Sequence, residues 1–363
     1  MVVDEYQSSA NFQGSKQVTF DYDSFIWEFL PKKPEEEEKL CKMLADLKDI
    51  KTSIGSISVD LPIYESFSKH PSVVEKRMDK IVVTINPAEP LSNEDILMWN
   101  ARLGQFFTLI HKERVVTTAI HRGLDSIIVP GLIEDYKEAS YAFRIPVDLD
   151  EFVQVIREAL STFIDKYNEI ITFTEDLVQY YYDYPLSPPD SIQLLRLFTS
   201  LEQCANYAQK REKILVKQLD DEQTKRKEEF KVLLDKVRND GEIAKPVYDY
   251  LLNTAQGFYI SSGSLSALKH KIKALAELLH NEYGIYSSLI SLPNVETVLK
   301  MRNIVAHGFF DLESSNRFYA NRDNLGQGIE QCIRMYTFRA LGCSVKTVVR
   351  HKDPLKARQF NSH

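Results

Sequence analysis

Three prolines near the middle of the chain, Pro185, Pro188 and Pro189, separate two stretches with different hydrophobic periodicity. Before them, short runs alternate apolar and polar residues with the period of two that is typical of strands, and longer runs have helical spacing. After them, apolar residues recur at the three-to-four spacing of amphipathic helices. Because prolines interrupt regular structure, the sequence predicts an α+β domain over residues 1–189 and an all-α domain over residues 190–363.

The predicted first domain mixes strands and helices. Its strand-like segments, rich in β-branched or aromatic residues, are residues 18–29, 53–64, 80–85, 115–120 and 126–129. Its helical segments are residues 35–48, 92–110 and 148–167. The second of these opens with Ser92-Asn93-Glu94-Asp95, which is typical of a helix cap. Residues 170–182 contain three consecutive tyrosines and fit either a strand or the end of a helix.

The predicted second domain contains helices. Its segments are residues 192–219, residues 222–238, a helix with Pro246 near its start, a helix from Ser264, a helix capped by Asn294, and residues 328–341. The polar residues 311–324 are predicted as a loop. A run of amphipathic helices of this kind predicts a bundle around a shared core.

The two predicted domains have opposite net charge. Residues from Ser191 onward contain 26 Lys and Arg against 19 Asp and Glu, a balance of +7, whereas residues 1–190 contain 19 basic and 33 acidic residues, a balance of −14. Five of the basic residues lie in the C-terminal tail: Lys346, Arg350, Lys352, Lys356 and Arg358. The C-terminal domain is therefore the one whose charge suits a polyanion.

Several kinds of site are disfavoured by the sequence. The four cysteines, Cys41, Cys204, Cys332 and Cys343, form no Cys-x-x-Cys pair, so we expect buried thiols and neither a disulfide framework nor a metal site. The best candidate for a phosphate loop, residues 261–264, has one glycine and no Gly-Lys pair. No run of eighteen apolar residues and no basic leader is present, so we expect a cytoplasmic protein. We also expect no cofactor.

The densest candidate chemistry lies in the segment Arg302-Asn303-Ile304-Val305-Ala306-His307-Gly308. Histidine has an ordinary pKa of about 6.5, which suits it to moving protons near neutral pH. Arginine carries a planar fork of donors that meets two phosphate oxygens at once. Cleavage of RNA without a metal needs both: a group that moves the proton of the 2′-hydroxyl or of the leaving group, and a cation for the charge on the phosphate.

This segment resembles the Arg-x4-His motif of the HEPN superfamily, and both its Arg302-Asn303 opening and its Ala306-His307-Gly308 ending match a common form of that motif. The resemblance covers residues 192–349. A strand-containing domain before the helical one looks most like ApeA-type HEPN proteins of bacterial anti-phage defence. The resemblance implies a HEPN-like bundle that forms a homodimer and cleaves RNA without a metal. We therefore expect an endoribonuclease that acts as a defence effector or toxin, controlled by an antitoxin or a phage-derived trigger.

The resemblance also implies roles for single residues. Arg302 would stabilise phosphate charge, His307 would act as general acid and base, and Asn303 would orient them. The residues expected to bind the RNA backbone are Lys300, Arg317, Arg322, Arg350 and Lys352. Positions 302 and 307 lie about 140° apart around a straight helix. We therefore expect the helix to loosen near Ala306, with Gly308 as a left-handed C-cap, so that His307 turns back beside Arg302.

A second function stays open on the sequence alone. Arginine on an amphipathic helix is commonly a surface residue, so the chain also fits a non-catalytic HEPN-fold module that dimerises and binds a protein or a nucleotide. In either case the acidic first domain is expected to be a sensor or regulatory domain. Among the other histidines, His111 and His121 are expected to have surface or structural roles, and His270 and His280 to be exposed.

Overall fold

The computed structural model describes residues 16–23, 34–62, 64–67, 74–77, 80–112, 114–123, 125–128, 149–183, 191–212, 225, 228–241, 243–260, 265–284, 288–290, 292–307, 326 and 328–344. These residues fall into two compact units that interleave along the chain. The first unit takes the described residues up to Ile171, residues 178–183 and residues 337–344. The second takes residues 172–177 and the described residues from 191 to 336. This division differs from the predicted limits of 1–189 and 190–363, because a helix near the middle of the chain and the final helix each contribute to both units.

The described strands are β1 (Val18–Asp23), β2 (Ile50–Thr52), β3 (Gly55–Asp60), β4 (Tyr64–Phe67), β5 (Val74–Arg77), β6 (Lys80–Pro87), β7 (Val116–Arg122) and β8 (Asp125–Ile128). Six of them form an antiparallel sheet with the order β2-β3-β6-β1-β7-β8, while β4 pairs with β5. The strands predicted at residues 80–85, 115–120 and 126–129 are confirmed to within about two residues. Residues 24–29 of the first predicted strand lie outside the described residues.

The single strand predicted over residues 53–64 is confirmed only for residues 55–60, which form β3. The chain turns at residues 53–54, so that β2 and β3 form a hairpin in which Thr52 pairs with Gly55. Gly55 has a φ of +137°, and a Cβ at this position would overlap the carbonyl oxygen of Asn86. The hairpin therefore requires glycine at this point. Ile54 lies in the turn, three residues before Ile57, and its inclusion in one apolar run with Ile57, Val59 and Leu61 hid the turn.

The described helices are α1 (Pro34–Ala45), α2 (Asn93–His111), α3 (Leu149–Asp165), α4 (Tyr167–Asp183), α5 (Ser191–Arg211), α6 (residues 228–239), α7 (Lys245–Ile260), α8 (Leu265–Tyr283), α9 (Leu292–His307) and α10 (residues 328–340). A 3₁₀ turn spans Ser288–Ile290. The predicted order of an α+β region followed by helices is confirmed. The ambiguous segment 170–182 belongs to α4. None of the described helices is long and apolar enough to cross a membrane.

The prediction that Asn294 caps α9 is wrong. The helix begins at Leu292, which places Pro293 in its first turn. Proline is well tolerated there because the first backbone N–H groups of a helix have no partner within the helix. The junction between two predicted helices, residues 213–224, lies outside the described residues.

One face of the large sheet packs against α2. Val18, Phe20 and Tyr22 alternate towards this face along β1 and are fully buried. The ring of Tyr22 lies 5.6 Å from that of Phe107, and its hydroxyl donates a 3.0 Å hydrogen bond to the carbonyl oxygen of Asn100. Burial raises the pKa of Tyr22 well above its ordinary value. The side chains between the sheet and α2 are therefore largely aromatic and shielded from solvent.

The start of α2 is fixed by local chemistry. The hydroxyl of Ser92 accepts a 3.1 Å hydrogen bond from the backbone N–H of Asp95, and the Asp95 carboxylate accepts one of 3.1 Å from the backbone N–H of Ser92. These reciprocal bonds form a capping box, so the predicted N-cap is confirmed. Side-chain and backbone hydrogen bonds from Ser92 lower the pKa of Asp95.

The predicted burial of the cysteines is confirmed for three of the four. Cys204, Cys332 and Cys343 are buried, whereas Cys41 is exposed on α1. Burial raises the pKa of both Cys332 and Cys343 to about 12, so these two remain thiols at neutral pH.

Candidate functional site

The candidate site lies where α5, α8 and α9 pack against one another. Val295 and Val298 of α9 are buried in this packing, and Arg302 follows them at the i+7 and i+4 positions of the same stripe. The Arg302 side chain is 32% exposed, so it lies at the edge of the packed face, as its spacing predicts. The core therefore fixes the backbone of this helix while the arginine reaches solvent.

Arg302 makes an ion pair with Glu202 of α5. Its Nη2 atom lies 3.1 Å from the Oε2 atom of Glu202, and the Glu202 side chain is 35% exposed. Its Nη1 atom donates to the Oδ1 atom of Asn303 at 3.5 Å, which is at the outer limit for a hydrogen bond. The ion pair is the stronger of the two contacts and sets the direction of the guanidinium.

A second cation lies close by on α8. Lys271 is buried, and its Nζ atom donates a 2.9 Å hydrogen bond to the Oδ1 atom of Asn206, one turn along α5 from Glu202. Burial lowers the pKa of Lys271, the nearby charge of Lys210 lowers it further, and the negative charge of Glu202 acts in the opposite direction. We call Glu202, Asn206, Lys271, Arg302 and Asn303 the polar cluster.

The polar cluster has an excess of positive charge. Arg302 and protonated Lys271 carry two charges against the single charge of Glu202. Next to it, Lys269 and Glu296 form a 2.7 Å ion pair that links α8 to α9, and this pair lowers the pKa of Glu296. An arginine that is partly exposed, anchored by a carboxylate and next to a second cation suits contact with a phosphate group.

His307 is the last residue of α9, and the structure describes its backbone but not its side chain. The predicted loosening near Ala306 is wrong, because the helix continues through both residues. Positions 302 and 307 are therefore about 140° apart around the helix axis and about 7.5 Å apart along it. The expected role of Gly308 as a C-cap lies outside the described residues.

Only one of the residues expected to bind RNA falls in the described part of the chain. Lys300 is exposed on α9, two residues before Arg302. The other four lie outside the described residues: Arg317, Arg322, Arg350 and Lys352.

The two histidines of the first unit, His111 and His121, contact residues of the same unit. His111 is buried, with its ring 4.8 Å from that of Phe152. The Nε2 atom of His121 lies 3.4 Å from the Oδ2 atom of Asp21 on the sheet. Both positions agree with the surface or structural roles expected from the sequence.

Both histidines of α8 were predicted to be exposed, and this is confirmed for one of them. His280 is exposed, but His270 is buried, so its predicted exposure is wrong. His270, Lys271 and Ile272 are three consecutive buried residues of α8. An amphipathic helix with one buried face and one exposed face would leave at least one of them in solvent.

Glu202, Asn206 and Lys271 were not predicted as site residues from the sequence. For Lys271 a signal was present: it lies three residues after Leu268 and four before Leu275, which places a charge on the apolar stripe of α8. Glu202 and Asn206 lie four residues apart on α5, as neighbours on one face. Nothing in the sequence pairs Glu202 with Arg302, which follows it by 100 residues.

Comparison of the chain with protein-family models, with curated proteins and with solved structures found no match. The likeness to HEPN proteins therefore rests on the motif around Arg302 and on the helical region that carries it.

Proposed function

We propose that the chain is a metal-independent endoribonuclease of HEPN type, with its active site built around Arg302. The observation that carries the proposal is the geometry of this arginine. It is partly exposed, anchored at 3.1 Å by Glu202, and carried by the helix that ends at His307. A guanidinium held in this way can meet a phosphate without first being ordered.

In the proposed reaction the 2′-hydroxyl of a ribose attacks the adjacent phosphorus atom. The bond from the 2′-oxygen to phosphorus forms while the bond from phosphorus to the 5′-oxygen breaks. A neutral histidine takes the proton of the 2′-hydroxyl, and a protonated histidine gives a proton to the departing 5′-oxygen. Arg302 neutralises the charge that builds on the other phosphate oxygens, and Asn303 orients the phosphate or the arginine.

A homodimer supplies the two histidines that this scheme uses. Positions 302 and 307 of one regular helix point in directions about 140° apart, so one copy alone does not aim both groups at the same phosphate. We propose that a second copy brings its own Arg302 and His307 to the same cleft. One histidine then serves as base and the other as acid.

The opposite net charges of residues 1–190 and 191–363 support different roles for these two parts of the chain. Lys300 and the basic residues Arg317, Arg322, Arg350 and Lys352 would hold the RNA backbone, so binding should weaken steeply with salt. The N-terminal half, with its balance of −14, would repel RNA and act as a sensor or restraint. We propose a defence effector or toxin in the cytoplasm, released by a phage-derived trigger or held by an antitoxin.

The test is cleavage of single-stranded RNA in the presence of EDTA by the wild type and by His307→Ala. We expect the substitution to lower the rate at least about 100-fold, because it removes the group that moves protons. Equal rates for the two proteins would overturn the proposal. Cell growth gives a parallel readout: expression of the wild type should be toxic, and expression of His307→Ala should not.

One observation favours a second function, a non-catalytic HEPN-fold module that binds a protein or a nucleotide. The ion pair between Arg302 and Glu202 also joins α9 to α5, so the arginine would serve as a brace between helices. A brace predicts that Arg302→Ala lowers the melting temperature and that the protein, wild type or variant, never cleaves RNA.

A further inference from the structure

The face of α5 that carries Glu202 continues with two more polar residues. Glu202, Asn206 and Lys210 follow one another at intervals of four residues, so they lie along one face of the helix. Asn206 lies about 6 Å along α5 from Glu202, and Lys210 lies about 6 Å further. Lys210 is in the last turn of α5 and is exposed. The polar cluster therefore continues past Asn206 towards a cation that reaches solvent.

Lys271 of α8 packs against the middle of this face. Its Nζ atom donates to the Oδ1 atom of Asn206 at 2.9 Å, which uses one of the three N–H donors of an ammonium group. Besides burial, which is the main cause of its lowered pKa, Lys271 is affected by the charges of Glu202 and Lys210. Because Asn206 is midway between those two residues, Lys271 lies between the carboxylate that anchors Arg302 and the exposed amine of Lys210.

The two amines add positive charge at this end of the polar cluster. The carboxylate of Glu202 is already engaged by Arg302, at 3.1 Å. Lys210 and protonated Lys271 repel each other, and an anion next to both would relieve that repulsion. Lys271 is only 9% exposed, so salt screens its charge less than that of a surface lysine. This end of the cluster therefore combines a mobile surface amine with a fixed charge beneath it.

We propose that Lys210 and Lys271 form a second phosphate subsite, which takes the phosphate next to the one held by Arg302. Lys210 contacts that phosphate directly, and Lys271 supplies the fixed charge behind it. The two amines lie about 6–12 Å along α5 from Glu202, a distance that one nucleotide of an extended strand spans. The ligand is therefore a single strand with at least two consecutive phosphates. The inference rests on the proposed function in one respect, the placement of a phosphate at Arg302.

Binding of uncut probes to the full-length protein tests the subsite apart from catalysis. The first probe is a 2′-O-methyl trinucleotide with two phosphates, which stays intact because it lacks the attacking hydroxyl. In the second probe, one of the two phosphates is replaced by a neutral methylphosphonate, and both positions of the replacement are tested. We expect the wild type to bind the first probe about fivefold or more tightly than the second, because only the first fills both subsites. Isothermal titration calorimetry measures the dissociation constants.

Substitution of either amine should remove this preference. Lys210→Gln, at an exposed position, should bind the two probes alike within about twofold. Lys271→Met should do the same, because it removes the charge and keeps the apolar stem of the side chain. Lys273→Gln is the matched control, since Lys273 also lies on α8 but forms a 2.7 Å ion pair with Glu277. It lies about 200° around the helix from Lys271, so this variant should keep the wild-type preference.

Salt dependence gives a second readout, which a merely structural role of Lys210 would not change. For a longer 2′-O-methyl strand, Lys210→Gln should reduce the slope of log Kd against log salt by about 0.7, the value for one phosphate contact on a single strand. Lys273→Gln should leave that slope as it is in the wild type.

Three results would overturn the proposal: a wild type that binds both trinucleotides equally, a wild type that binds neither at about 1 mM, or a Lys210→Gln variant that keeps both the preference and the slope. If binding follows the prediction but the protein does not cut RNA, the subsite stands and the proposed cleavage alone is wrong.

Discussion

Two arginines of this chain form ion pairs of the same length in different surroundings. Arg157 of α3 lies 3.1 Å from Asp46, and Arg302 of α9 lies 3.1 Å from Glu202. The first pair is about half exposed on both sides, at 49% and 57%, whereas the second is about one third exposed. Exposed pairs of the first kind contribute little to stability, because water already solvates both charges.

The second pair differs in its neighbours. Lys271 is buried next to Glu202, so the carboxylate faces two cations, while Arg302 still reaches solvent. An excess of fixed positive charge at a partly exposed position is what an anionic ligand needs. The two pairs have the same length and differ in the charges around them, so we expect any functional difference between the two arginines to follow from those charges.

The largest expected difference between the two arginines is in catalysis. Arg302→Ala should lower the rate of RNA cleavage by about 100-fold or more, because it removes the cation that neutralises the phosphate. Arg157→Ala removes an arginine from an ion pair of equal length and should leave the rate unchanged within about twofold. Single-turnover cleavage assays in EDTA measure both. If the two variants lose activity equally, Arg302 has no special role.

The next difference is in stability. Glu202→Ala should lower the free energy of unfolding by about 1–2 kcal/mol, because Arg302 and Lys271 are then left without their shared counter-charge. Asp46→Ala should lower it by less than about 0.5 kcal/mol. Urea unfolding monitored by circular dichroism gives both values. Equal losses would mean that the neighbours of the second pair do not matter.

The smallest difference is in pH dependence, and Lys271 is the group to follow. Its pKa in the folded protein is lowered from the ordinary value of 10.5 by burial. Between the lowered value and 10.5 the unfolded chain keeps a proton that the folded chain has lost, so rising pH stabilises the folded state. Relative to Lys271→Met, the wild type should therefore gain stability as the pH rises through this window.

Urea unfolding of both proteins between about pH 7 and pH 10 covers that window. Lys42→Met, at an exposed ion pair on α1, is the control for loss of a lysine. A constant difference in stability between the wild type and Lys271→Met across the range would show that burial does not act on this amine.

Local signals allowed parts of this structure to be predicted from the sequence. The capping box at Ser92 and Asp95 depends on residues three apart, so the pattern predicts the start of α2 correctly. The turn before Gly55 depends on the positive φ of this residue and on the close approach of β6. The spacing of apolar residues in the sequence gives no information about these two features. The start of α9 was misplaced because Asn294, a residue type that commonly caps helices, lies inside the first turn.

The candidate site was predictable only in part. The edge position of Arg302 follows from its spacing after Val295 and Val298. The ion pair with Glu202 does not, because it depends on how α5 and α9 pack, and many glutamates lie on exposed helix faces. Lys271 was missed, although a charge on an apolar stripe is a signal for a buried cation; that signal does not identify the partner of the cation.

Incubation of the wild type in EDTA with a single-stranded RNA, and separately with a DNA strand of the same sequence, tests the proposed ribonuclease site directly. We expect the RNA to be cut to fragments with 2′,3′-cyclic phosphate and 5′-hydroxyl ends, and the DNA to stay intact because it lacks the attacking hydroxyl. RNA that stays intact, or RNA and DNA cut alike, would contradict a ribonuclease site built around Arg302 and His307.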